Sequence, residues 1–153
     1  MTSRSLPHGF SDAAEYVQDS TRQGRRHLNK SHAFGIESTL REELGAVWSE
    51  CRESNWDGFE ALPVSQDTLR NAYLFLEALP LGSPAPSVGA EPDGHLTLEW
   101  HRFARRTLSV SLSPDGDLHF AALFGPNRVY GTEAFFGDVP ESILDLIGRV
   151  YAK

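Results

Sequence analysis

The chain holds one cysteine, Cys51, in 153 residues, so no internal disulfide can staple it and stability must come from an ordinary core. At this length roughly two thirds of the unfolded surface can be buried without disulfides or metals. No apolar run approaches the ~20 residues that span a bilayer, and the longest, around 73 to 76, reads as a helix core. A membrane is therefore excluded as a partner. The N-terminus lacks the apolar stretch of a secretory signal, and a cytoplasmic protein is expected. Also missing is any telling spacing of nucleophile and base, of metal ligands, or of phosphate-binding glycines. The sequence accordingly predicts no catalytic residue, no cofactor and no metal.

Charge of one sign is scarce in the folded part. Residues 1 to 35 carry five Lys/Arg against three Asp/Glu, a balance of +2, which leaves nine basic and eighteen acidic residues, or −9, in the remainder. Acidic surfaces repel phosphate backbones and attract basic proteins. Nucleic acid is thus disfavoured except through the arm formed by residues 1 to 35, where Gly24-Arg25-Arg26-His27 is the only basic cluster. This arm is rich in Ser, Gly, Arg, His and Asn, has no sustained period, and reads as flexible. The single folded domain is assigned to 36–153.

From Ile36 onward Leu40, Leu44, Val47, Trp48 and Cys51 recur at spacings of three and four, which predicts an amphipathic helix over 36 to 53. Gly45 within it would let another element approach closely. Ser65 is a fitting N-cap for a second helix that carries Leu69, Ala72, Tyr73, Leu76 and Leu79 inward and stops before Pro80. Gly82, Pro84 and Pro86 then enforce an extended link.

The same turn follows twice, as Glu91-Pro92-Asp93-Gly94-His95 and Ser113-Pro114-Asp115-Gly116-Asp117. Each predicts a three-residue hairpin loop, with proline presetting the first position and glycine taking the left-handed one. Register follows from counting outward. Leu112 should face Leu118, Val110 Phe120 and Leu108 Ala122; in the first hairpin Val88 should face Leu98 and Ala90 Leu96. Keeping Leu96, Leu98 and Trp100 on the face of Leu108, Val110 and Leu112 requires an irregularity around 103 to 105. A further strand over 128 to 132 follows Gly125-Pro126-Asn127, with its register undecided. A third helix opens near 138 to 140, with proline in its first turn and Ile143, Leu144, Ile147, Val150 and Tyr151 inward. The predicted fold is α+β, a two-layer sandwich in which an antiparallel β-meander of four or five strands is covered on one face by three helices.

The run Asn55-Trp56-Asp57-Gly58-Phe59-Glu60-Ala61-Leu62-Pro63-Val64-Ser65, with Asp93-Gly94 and Leu98-Glu99-Trp100 further on, resembles a group of small bacterial proteins sharing an Asn-Trp-Asp-Gly-aromatic core. The resemblance covers roughly residues 53 to 150. It implies a bacterial or mobile-element setting and carries no activity. In physical terms Asn55 can cap the end of the first helix, Asp57-Gly58 can make a tight turn, and Trp56 can plug the seam between helices and sheet.

Alternation sends His95, Thr97, Glu99 and His101 outward on one strand, with Thr107, Ser109 and Ser111 beside them and His119 beyond. Three histidines and a glutamate on one face suggest zinc, but residues two apart on a strand are spaced at roughly 7 Å, so only selected pairs can converge on one ion. A binding face is the better reading. We expect a non-catalytic protein-binding module of the antitoxin, immunity, anti-CRISPR or phage-defence accessory type. Its partner would be a protein with a basic surface, contacted through Thr97, Glu99, His101, Thr107, Ser109, Ser111, His119, Phe135 and Phe136. Trp100, Phe103 and Tyr130 are further candidate anchors wherever exposed. Homodimer formation through a strand edge near Val88 or Val129 is a related option. The alternative class is a small metal-dependent hydrolase using His101, Glu99, His119 or Asp57.

Overall fold

The computed structural model describes residues 32 to 153, with side chains from Ser38 onward. Three helices, α1 (His32–Cys51), α2 (Gln66–Ala78) and α3 (Glu141–Tyr151), accompany five strands: β1 (Ser87–Ala90), β2 (Leu96–Phe103), β3 (Arg106–Leu112), β4 (Asp117–Phe124) and β5 (Asn127–Ala134). The strands form one antiparallel sheet in chain order. The α+β layout expected from the sequence is the one observed. Of the predicted arm, 1 to 31 lie outside the described residues, and 32 to 35 already belong to α1. A helix can run on beyond its buried stripe, so the start of the apolar period marks the core contact and not the first turn.

Both hairpins have the register obtained by counting. Leu112 pairs with Leu118, Val110 with Phe120 and Leu108 with Ala122; Val88 pairs with Leu98 and Ala90 with Leu96. The irregularity falls between His101 and Phe103, where the β2–β3 register shifts. It keeps Trp100 and Leu108 on one face. That face is the core: Leu96, Leu98, Trp100, Leu108, Val110, Leu112 and Leu118 are buried beneath Leu44, Phe75, Ile143 and Val150 of the helices. Trp100 tilts against Phe75 with ring centroids 6.4 Å apart, and its indole N–H donates to the Pro84 carbonyl at 2.8 Å. The proline-rich link thus satisfies the one polar group of the largest buried ring.

Helix ends are held by identifiable partners. Ser65 caps α2, its hydroxyl accepting from the Thr68 amide at 3.2 Å. Pro140 sits at the N-cap of α3, one step ahead of the predicted first-turn position. At the far end of α3, Arg102 donates to the Tyr151 carbonyl and Arg106 donates to the Ala152 carbonyl at 2.6 Å. Two guanidinium groups therefore sit where the helix dipole is negative. Arg41 of α1 pairs with Glu77 of α2 at 3.3 Å. Gly45 of α1 does admit a neighbour, since a Cβ there would lie 3.3 Å from the Tyr73 hydroxyl.

The helical layer does not cover the whole sheet. α1 packs on β1, α2 on β2 and β3, and α3 on β2, β3 and β4. β5 overhangs. Among the described residues its one hydrogen bond to a helix runs from the Ser142 hydroxyl to Glu133 at 3.2 Å. Its core-side positions are Asn127, Val129, Gly131 and Glu133, and the Phe120 ring lies over Gly131, where a Cβ would meet Cζ at 2.8 Å.

Candidate functional site

The face of the sheet away from the helices is open. Register places Thr97, Ser111, His119 and Thr132 in one cross-strand row, Glu99, Ser109, Ala121 and Tyr130 in the next, and His101, Thr107, Leu123 and Arg128 in the third. Every sheet residue predicted to face a partner, from Thr97 to His119, belongs to this surface, each exposed or half-buried. Tyr130, 81% exposed, stands in the middle row on the edge strand β5.

The two phenylalanines after β5 separate. Phe135 was assigned to the partner surface, but it is only 8% exposed and packs on Phe75 with centroids 5.7 Å apart. Its amide donates to the Gly116 carbonyl at 2.9 Å, which turns the ring into the core. Phe136 points the other way and is 91% exposed. Trp100 is likewise core, whereas Phe103 is exposed at the bend between β2 and β3.

Loop 55 to 64 is a self-satisfied structure. Asp57 Oδ1 accepts from the amides of Phe59 and Ala61 at 2.8 and 3.0 Å. Asn55 Oδ1 accepts from the Glu60 amide at 2.8 Å, and the Trp56 indole donates to the Leu62 carbonyl at 2.9 Å. The tight turn is present, with Gly58 at φ 77° and its amide on the Asn55 carbonyl at 3.1 Å. Helix capping by Asn55 is not. The Cys51 carbonyl instead receives the Val64 amide at 2.8 Å, because the returning loop reaches the helix end first. With its Oδ1 committed to two backbone amides, Asp57 is a structural anchor. Cys51 is buried, and burial together with the Glu50 charge pushes its thiol up, which suits packing and not nucleophilic chemistry.

This loop docks on the first Pro-Asp-Gly turn. The Leu62 amide donates to the Pro92 carbonyl at 2.8 Å, and a Cβ on Gly94 would lie 3.0 Å from the Pro63 carbonyl oxygen. The docked turn presents a group of side chains that strand alternation alone does not reveal. One ligand atom each of Glu91, Asp93 and His95 lie within 4.8 Å of one another. Glu91 Oε1 accepts from the hydroxyls of Thr97 at 2.6 Å and Ser111 at 2.7 Å. The His95 ring stacks on His119 at 5.6 Å and 11°, and His119 Nδ1 lies 3.0 Å from the Thr132 hydroxyl.

Of the zinc candidates read from the sequence, His95 joins this set, whereas among the described residues Glu99, His101 and His119 belong to no converging donor set. Glu91 and Asp93 are not legible from spacing along the strand, because they meet His95 only across the turn. The signal was nonetheless present, since a three-residue loop makes Glu91 and His95 its closing pair. No protein-family model, curated protein or solved structure matches the chain.

Proposed function

We propose that the chain is a non-catalytic binding module whose uncovered sheet face takes up another protein. One observation carries this reading: the three described helices pack into one core on the same side of the sheet, and the other side is left as mainly hydroxyl, imidazole and carboxylate side chains, with Arg128 and the exposed ring of Tyr130 on its β5 edge. An exposed aromatic ring beside polar side chains is a common anchor of a non-obligate interface. The overall charge of −7 favours a basic partner. Within that class, an antitoxin, immunity, anti-CRISPR or phage-defence accessory role fits the bacterial resemblance.

The test is capture of a partner by the purified chain, with face variants as the discriminating arm. Tyr130→Ala and Glu99→Lys should each weaken capture of a basic protein at least tenfold while circular dichroism stays unchanged. Undiminished capture by both variants would remove the open face from the interaction. The hydrolase alternative would use His101, Glu99, His119 or Asp57; Glu99 and His101 join no converging set among the described residues and Asp57 Oδ1 accepts from two backbone amides, which favours the binding reading.

A further inference from the structure

We infer that Glu91, Asp93 and His95, with His119 beside them, form a binding site for a divalent transition-metal ion at the edge of the open face. The donor set is mixed, two carboxylates and an imidazole, which suits zinc or cobalt better than the all-oxygen shells of calcium or magnesium. Its charge also fits, because the two carboxylates neutralise a divalent cation.

Geometry supports convergence. Ligand atoms of a tetrahedral site with bonds of about 2.0–2.1 Å lie roughly 3.3 Å apart. The three here already lie within 4.8 Å, so rotamer adjustment of about an ångström closes the set. The turn backbone does not need to move. It is fixed by the Glu91 amide on the His95 carbonyl at 2.9 Å and by the Leu62 amide on the Pro92 carbonyl at 2.8 Å.

The surroundings hold the donors as outer-shell partners do in metal sites. Thr97 and Ser111, from two different strands, both donate to Glu91 Oε1 and leave its second oxygen free. Asp93 Oδ1 accepts the His95 amide at 3.1 Å, while its Oδ2 lies 3.6 Å from His95 Nδ1. His119 lies outside the converging set; its ring stacks on His95 and its Nδ1 engages the Thr132 hydroxyl, so it backs the His95 imidazole from the side. The three donors all come from the first hairpin turn, and Ser111 of β3 is tied to them through Glu91.

The test is calorimetric titration of the untagged full chain with zinc chloride, repeated with cobalt chloride. One equivalent should bind with a dissociation constant in the micromolar range and raise the melting temperature. His95→Gln and Asp93→Asn should each weaken binding at least tenfold, while His101→Gln, on the same strand but outside the cluster, should bind like the parent. His8, His27 and His32 supply other imidazoles, so saturable binding that is unchanged in both cluster variants would overturn the assignment. No saturable binding would overturn it equally, as would an equal loss in His101→Gln. Both cluster substitutions fall in a solvent-facing turn, and an unchanged circular dichroism spectrum confirms that folding is not the cause. Because the probe is the metal alone, the outcome is independent of whether the open face binds a protein.

Discussion

The two Pro-Asp-Gly turns share a backbone and differ in their surroundings. Gly94 and Gly116 have φ of 87° and 84°, and in each turn the residue before the proline exchanges the same loop-closing bonds. The first turn is braced by loop 55 to 64 and presents Glu91, Asp93 and His95. The second is braced by Phe135 and the core, and its closing residue Ser113 is buried, with its hydroxyl on the Asp117 amide at 3.2 Å. Identical local chemistry therefore sets a hairpin, whereas the flanking residues and the brace decide whether the hairpin displays a site or finishes a core.

Removing the braces should expose this difference. Phe135→Ala should cost about 3–5 kcal/mol, because a buried ring against Phe75 is lost, whereas Phe136→Ala should stay within about 0.5 kcal/mol; urea melts of the pair measure both. The glycines give the sharper contrast. Gly94→Ala should cost about 2 kcal/mol or more, since left-handed backbone strain adds to crowding against the Pro63 carbonyl at 3.0 Å. Gly116→Ala bears the same backbone strain but meets only the Phe135 carbonyl at 3.7 Å, so about 1 kcal/mol is expected. Equal losses would mean that the loop contact at Gly94 carries no weight. Asp57→Ala should cost a similar amount, about 1 kcal/mol, for the loss of two backbone hydrogen bonds at the loop surface. Its amide shift changes should reach residues 91 to 95 through Leu62 and leave 113 to 117 untouched.

The hairpins were legible because a short loop converts directly into register, and register into faces. α2 was legible only in part. Phe75 is fully buried yet falls outside the predicted inner face, because α2 packs on β2 and β3 and also flanks α1, and so needs a wider apolar arc: Thr68, Leu69, Ala72, Phe75 and Leu76 are buried, and Tyr73 meets α1. The undecided register of β5 has a related cause. No helix packs over this strand, so its core-side positions are not required to be apolar, and Asn127, Gly131 and Glu133 occupy three of the four. Phe135 and Phe136 are adjacent in sequence and face opposite ways, a distinction that only the bond to Gly116 makes. Of the open face, the sheet residues were readable from alternation, but the Glu91-Asp93-His95 group was not, because it depends on the turn closing and on hydroxyls arriving from β3.

The overhang of β5 has a dynamic consequence. Among the described residues this strand has one neighbouring strand, one side-chain hydrogen bond to a helix and only Val129 packed on the core, so it can detach while the rest of the sheet stays shut. In deuterium labelling its amides should exchange through this smaller opening, well ahead of those in β2 and β3, which wait for the whole molecule to unfold.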